Sequence, residues 1–328
     1  MLLHRLFIKV RNWGGLMQEH SISCVANYVE TIVAINRDDK DGDVPRRKEL
    51  LFRGQCDKDY ELIPSLGRYK NGNVDIHFVE QNMVEMAKNR MPEVFRDHSL
   101  EPIELLSLLQ HYGIPTRLLD LTEDALVALY FACESKMECD GEVLIFKSYM
   151  EDIKDYPVVN AIADSYRFVK GSFCSLSMFY AYVTKQPYFL EQLAGNEICY
   201  KTDEAGGKWI EECCKHPIFV HASTRLKRQE VQRGRYLLFP NSITHLVDDE
   251  RGSFEQRIRP LPKDHESIIG RIIVPASAKQ IVLNELKLLG IKRGTLFSDS
   301  VDIVCDEIKK DFFMRSDPDI LGGEAFWY

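Results

Sequence analysis

The sequence predicts an α+β protein, with a mixed or antiparallel sheet at its core and helices on its flanks. Short apolar runs of strand length mingle with amphipathic stretches of helical spacing, without the regular βαβα alternation of a doubly wound sheet. No G-x-G-x-x-G or Walker loop occurs among them. The 328 residues, 45% hydrophobic and 28% charged, describe an ordinary folded chain. At this length about three quarters of the unfolded surface is buried, so folding requires no disulfide or structural metal.

Residues 1–10 open as a strand-like piece. Ile22, Val25, Val29 and Ile32 then recur at helical spacing, so 20–36 reads as one amphipathic helix ending before the charged stretch 37–48. Leu50, Leu51 and Phe52 form a short apolar strand running into Arg53 and Gly54, and Leu62, Pro64 and Leu66 continue as an extended or turn segment. Phe78, Met83, Met86 and Ala87 share one side of a helix over 75–96. Leu105, Leu106, Leu108, Leu109 and Tyr112 cover a helix face that Gly113 and Pro115 stop.

Residues 116–119 read as a short connection. Asp120, three residues before Glu123, reads as the N-cap of a second helix striped by Leu126, Leu129, Tyr130 and Cys133. Val143 to Phe146 is a buried strand, and 151–215 is aromatic-rich and weakly patterned. Residues 218–220, 236–239 and 269–274 are further strands, and 245–259 is a surface hairpin or loop. Ser277 caps a helix that runs to Leu289 and stops at Gly290, and a last helix over 298–313 precedes the tail.

This organisation is an N-terminal helical extension over 1–45, one domain over 46–315 and a C-terminal tail over 316–328. Nine cysteines form an odd set without a C-x-x-C pair, which fits a reducing compartment. Arg5, Lys9 and Arg11 interrupt the apolar start, and no window reaches the roughly 18 apolar residues of a membrane helix. A cytoplasmic body with no membrane partner is expected. The net charge of −8 excludes a protein that grips nucleic acid through its overall field, leaving only a local basic patch for that role.

Three segments carry candidate chemistry. Arg53 ends a strand, Gly54 permits close backbone approach and Gln55 adds an amide, a combination suited to a phosphate or carboxylate; the alternative is a pair with a core-edge carboxylate. Gln110, His111, Tyr112, Gly113, Thr116, Arg117, Asp120 and Thr122 concentrate polar groups between two apolar helices. Burying so many is costly unless they satisfy each other or a ligand. Residues 225–235, with Arg228, Glu230, Gln232 and Gly234, then Tyr236, form either an anion or nucleotide site or a solvated basic loop. Cys213, Cys214 and His216 lack a second ligand pair at zinc spacing, so no metal site is expected.

In this order the segments resemble the FRG domain family, named for its Phe-Arg-Gly motif. Phe52-Arg53-Gly54-Gln55, with Leu62-Ile63-Pro64-Ser65-Leu66 and Arg68, looks like the opening block. Leu108 through Asp120, with Thr122 and the helix from Ala125 to Ala132, looks like the central block. Arg228, Gln232, Gly234 and Tyr236 fall at the spacing of the late R-x-x-x-Q-x-G-x-F element, with Tyr in place of Phe. Leu121 stands where a Trp often follows the Asp, and residues between Tyr149 and His216 match no family pattern.

The resemblance implies a bacterial or phage context and a role in defence. The order of its blocks is similar to that of ADP-ribosyltransferase-like folds, which implies NAD as a substrate rather than a resident cofactor. On that analogy Arg53, Gly54, Gln55, Thr116, Arg117 and Arg228 bind the dinucleotide, and Tyr112 or Tyr236 stacks on nicotinamide. Glu230 or Gln232 stabilises an oxocarbenium-like centre, and His111 or Asp120 acts as base. The late element lacks the paired E-x-E or Q-x-E of many transferases. Two other readings stay open: a nucleic-acid- or nucleotide-binding defence protein using residues 225–235, and a non-catalytic interaction module.

Overall fold

The computed structural model describes residues 19–38, 49–68, 76–97, 99–148, 157–169, 174–189, 202–221, 227–246, 249–300, 303–305 and 308. The strands are β1 (Glu19–Ser21), β2 (Glu49–Gln55), β3 (Leu118–Thr122), β4 (Gly141–Ser148), β5 (Cys174–Ser175), β6 (Ile218–Val220), β7 (Gly234–Leu238), β8 (Ile243–Leu246), β9 (Asp249–Phe254) and β10 (Ile268–Val274). The helices that matter below are α1 (Val25–Asp38), α2 (Ile76–Arg90), α3 (Pro92–Phe95), α4 (Pro102–His111), α5 (Ala125–Cys133), α6 (Pro157–Ala163), α7 (Leu176–Val183), α8 (Asp203–Cys213), α9 (Lys227–Val231), α10 (Ala276–Leu288) and α11 (Arg293–Leu296).

A 7-stranded sheet runs in the order β1-β10-β4-β2-β3-β7-β6, and β5, β9 and β8 form a separate small sheet. β1 lies parallel to β10 and the other neighbours in the large sheet are antiparallel, so the fold is α+β around a mixed sheet. Strand alternation divides the core. Phe52, Val143, Ile145 and Ile272 pack with α1, α5 and α10, whereas Leu51, Leu144, Phe146, Leu119 and Leu237 form a second cluster on the other face. A third cluster gathers α4, α6, α7 and α8 around Phe179, Phe189 and Trp209, together with Tyr166 and Tyr180 of the aromatic-rich region 151–215.

Several boundaries differ from the expectation. Residues 20 and 21, the start of the helix predicted over 20–36, instead lie in β1 on the sheet edge, and α1 begins at Val25. Pro92 interrupts the helix expected over 75–96, since it has no N–H to continue the ladder and starts α3 instead. Leu118 and Leu119, expected within a short connection at 116–119, instead begin β3, a central strand whose ladder is made with β7. Asp120 sits in that ladder, and α5 is capped by Asp124, whose side chain accepts from Leu126 N and Val127 N. Pro275 rather than Ser277 is the N-cap of α10. Residues 245–259 include the β8–β9 hairpin as expected. The opening piece over 1–10, the tail and all of the last helix except 298–300, 303–305 and 308 lie outside the described residues.

Gly54 is the tightest point between sheet and helix. A Cβ there would stand 1.8 Å from the Ala128 carbonyl oxygen of α5, a main-chain atom that cannot rotate aside. Gly54→Ala is therefore expected to push β2 and α5 apart and lower stability by at least about 1–3 kcal/mol, read from the urea midpoint. A midpoint within error of the parent would show that the two backbones are not in contact.

Candidate functional site

β2 pairs with β4 along its full length and β3 with β7 along its full length, but β2 and β3 share only the Phe52↔Thr122 position. The sheet thus divides beside Arg53. A cavity of about 310 Å3 opens at this division, lined by the end of β2, by β3, α4 and α5, and by the segment from Arg228 to Tyr236. That volume lies at the lower end of the usual range for small-molecule sites.

Arg53 reaches across the opening. Its Nη1 donates to the Asp120 carbonyl oxygen at 2.7 Å and its Nε to Gln55 Oε1 at 3.1 Å. The buried Gln55 is itself fixed, because its Nε2 donates to the Tyr60 carbonyl at 3.1 Å and to Glu142 Oε1 at 3.0 Å. Glu142, fully buried, also accepts from Arg271 Nε at 2.7 Å and from Lys263 Nζ. A chain of hydrogen bonds therefore runs from a core carboxylate out to the guanidinium and leaves its Nη2 without a hydrogen bond among the described residues. Burial pulls Arg53 down to about 10, the Asp120 charge opposes this, and Arg68 in the same cavity adds to it. Arg53 remains cationic at neutral pH.

The end of α4 supplies the next side chains. Gly113, with φ +80, turns the chain in a Schellman closure: Gly113 N bonds the Gln110 carbonyl at 2.9 Å and Ile114 N the Leu109 carbonyl at 3.0 Å. This leaves Gln110 and His111 beside the cavity. Gln110 Nε2 donates to Asp120 Oδ1 at 2.6 Å, and Thr116 Oγ1 donates to Gln110 Oε1. Thr116 is buried behind this relay and does not line the cavity. Tyr112 turns outward, exposed and edge-on against Phe95 and His111.

His111 faces Asp299, with Nε2 3.6 Å from Oδ2. Burial lowers its pKa from 6.5, Asp299 opposes that shift, and Arg228 adds to it. The unfolded chain therefore binds the proton first, so this contribution to stability is present above pH 6.5 and declines as the pH falls below it. An NMR titration of the folded protein should give a His111 midpoint below 6.5; a midpoint above it would mean that Asp299, not burial, dominates.

Arg117 does not reach the cavity. It precedes β3 by one residue and shares the parity of Leu119 and Leu121, so it points to the face opposite Asp120 and Thr122. There it is fully buried, with Nε donating to Glu80 Oε1 at 2.9 Å, Nη2 to Glu80 Oε2, and Nη1 to Asn241 Oδ1 at 3.0 Å. Its fork is spent on the core.

The late element contributes through α9 and β7. Arg228 and Gln229 on α9, and Gln232 just past its end, face the cavity. Glu230 lies on the other side, exposed and outside the lining. Gln232 donates to the Leu296 carbonyl at 3.1 Å, and its own carbonyl accepts from Thr122 Oγ1 at 2.6 Å. Tyr236, opposite Asp120 in the ladder, is buried, with its hydroxyl 3.0 Å from Ser107 Oγ and also bonded to Gln229; burial pushes its pKa up. Arg235 is taken by Glu49 and Glu123, and Arg225 lies outside the described residues.

Of the candidate residues, the structure brings together Arg53, Gly54, Gln55, His111, Asp120, Arg228, Gln232 and Tyr236, and leaves Tyr112, Thr116, Arg117 and Glu230 outside. Sequence reasoning missed Tyr60, Phe131, Gln229 and Glu134. Glu134 lines the cavity; burial raises its carboxyl, against Arg293 and Arg228. The signal for Phe131 and Glu134 was their helical spacing beyond Val127 and Ala128, which also line the cavity.

These features define an α+β protein with a cationic, amide-lined cleft at a divided sheet. Residues 48–141 match the FRG domain, and the chain carries an FRG domain over that span. The match takes in Arg53 and Asp120 and ends before the strand pair and helix that supply Arg228, Gln232 and Tyr236. No curated protein and no solved structure matches the chain. Among the described residues no helix is long and apolar enough to cross a membrane.

Proposed function

We propose that the cleft binds an NAD-type nucleotide and breaks its glycosidic bond, passing ADP-ribose to an acceptor or to water. The observation that carries this reading is Arg53, held across the divided sheet by Gln55 and the Asp120 carbonyl with a guanidinium edge left for a phosphate. Arg68 and Arg228 line the same cavity, and the Arg228 guanidinium makes no hydrogen bond among the described residues. A pyrophosphate would neutralise this cluster, while Phe131 and Tyr236 offer apolar and aromatic surface to the rings.

In the reaction the C1′–N bond breaks and its electron pair leaves on nicotinamide. A C1′–O bond forms to the acceptor oxygen, whose proton passes to a base. His111 or Asp120 serves as that base, and a carboxylate or amide near the ribose steadies the positive charge that develops at C1′. Within the cleft that second role falls to Glu134 or Gln232, since Glu230 faces away. A role in bacterial or phage defence is what the family resemblance supports.

The closure of Thr116, Gln110 and Asp120 on one another favours a second reading, a non-catalytic module in which the polar turn is structural. Nicotinamide release from NAD decides between them. The first reading predicts turnover above buffer that Arg53→Ala suppresses. The second predicts no turnover, and an Asp120→Ala variant that melts lower with no nucleotide effect on either protein. A basic strip that tracks nucleic acid is disfavoured, because Arg235 is paired twice and Arg228 turns into the cleft.

A further inference from the structure

One short run outside the FRG match touches four side chains of the cleft. Leu296, buried in the core beneath α5, gives its carbonyl to Gln232 Nε2 at 3.1 Å. The Phe297 ring lies under the Arg228 guanidinium, 4.2 Å from its carbon to the ring centroid, and meets Phe131 edge-on at 6.3 Å. Asp299 faces His111. The run is anchored from behind. Gly290, with φ +88, ends α10, and Thr295 closes α11 by donating to the Gly290 carbonyl at 3.0 Å and receiving Lys292 N at 3.1 Å.

We infer that the turn from Leu296 to Asp299 backs the wall of the cleft from behind and tunes its grip on a diphosphate ligand, with Phe297 as the positioning residue that holds the Arg228 guanidinium towards the phosphates. The inference rests on the proposed nucleotide reading of the cleft and deepens it by assigning part of the phosphate grip to a segment beyond the matched domain. Arg228 reaches the cavity from a five-residue helix and its guanidinium makes no hydrogen bond among the described residues, so the side chain's position depends on the ring beneath it. A guanidinium held over a ring by cation–π contact spends no hydrogen bond on it, so its N–H groups stay available to an anion. Phe297 itself does not line the cavity, which places its effect on Arg228 rather than on the ligand.

The test is calorimetric binding of ADP-ribose to the full chain, its Phe297→Leu and Phe297→Tyr variants, Arg228→Ala, and the Arg228→Ala/Phe297→Leu double variant. Phe297→Leu keeps apolar bulk without the ring face, and should weaken binding about three- to tenfold. Phe297→Tyr should restore it, and Phe297→Leu should have no further effect once Arg228 is absent. Should the leucine variant not fold, Phe297→Met makes the same comparison. An unchanged affinity in Phe297→Leu, or an equal loss in the Arg228→Ala background, overturns the inference while leaving the nucleotide reading intact. Absence of binding by the parent chain overturns the reading of the cleft, and this inference with it.

Discussion

Arg53→Ala is expected to lower NAD turnover by about 10²–10³-fold, the usual effect of removing one preorganised electrostatic donor from a reacting centre. The loss should appear in nucleotide affinity as well, by about 10- to 100-fold, because a charge-assisted hydrogen bond to phosphate is worth about 1.5–3 kcal/mol. The folded state should change little. Arg53 gives two hydrogen bonds, to the Asp120 carbonyl and to Gln55, and both acceptors stand at a water-filled opening once the side chain is gone. The expected stability cost is about 1–2 kcal/mol, read from denaturant unfolding. A variant that keeps parental turnover would remove Arg53 from the chemistry.

Arg117→Ala should behave in the opposite way. It strips the partner from Glu80, which the core holds 1% exposed, and removes the hydrogen bond that Arg117 gives Asn241. Breaking a buried ion pair from one side costs about 3–5 kcal/mol, since the remaining carboxylate is neither solvated nor matched. For a domain whose whole stability is about 5–15 kcal/mol, that is a large fraction. Replacing both partners with apolar residues, Arg117→Met with Glu80→Leu, should recover much of the loss, because no charge is then stranded. Nucleotide binding, measured on whatever fraction folds, should keep the parental affinity. A loss of binding at unchanged stability would put Arg117 in the site after all.

The contrast between these arginines shows how much of the fold and the cleft was legible in the sequence. Both stand next to apolar residues and both belong to strong motif blocks. Arg53 is legible because the apolar run Leu50 to Phe52 marks β2 locally, and the end of a recognisable strand is a place where a side chain can reach a cleft. Arg117 is not, because β3 is only Leu118–Thr122, lies between two helices and takes its ladder from residues 234–238. Nothing local marks such a strand, and without it the parity that turns Arg117 away from Asp120 is unknown. The same long-range dependence hid the division beside Arg53, which exists only because β2 and β3 each commit their length to another neighbour. The helix ends were more legible. Gly113 and Gly290 mark real left-handed closures, since a glycine at that conformation is a local requirement. Phe297 carried no signal at all, because its role arises from a contact with Arg228 across the fold.

The most direct test of the divided-sheet cleft is the melting temperature of the parent chain and of Arg53→Ala, each with and without millimolar ADP-ribose. Selective binding to the folded state must raise the parental midpoint in proportion to the logarithm of ligand concentration. The expected result is a ligand-dependent rise in the parent and none in Arg53→Ala, with the ligand-free midpoints close together. A parent that does not respond, or a variant that responds equally, would contradict the claim that this guanidinium waits at the opening for a phosphate.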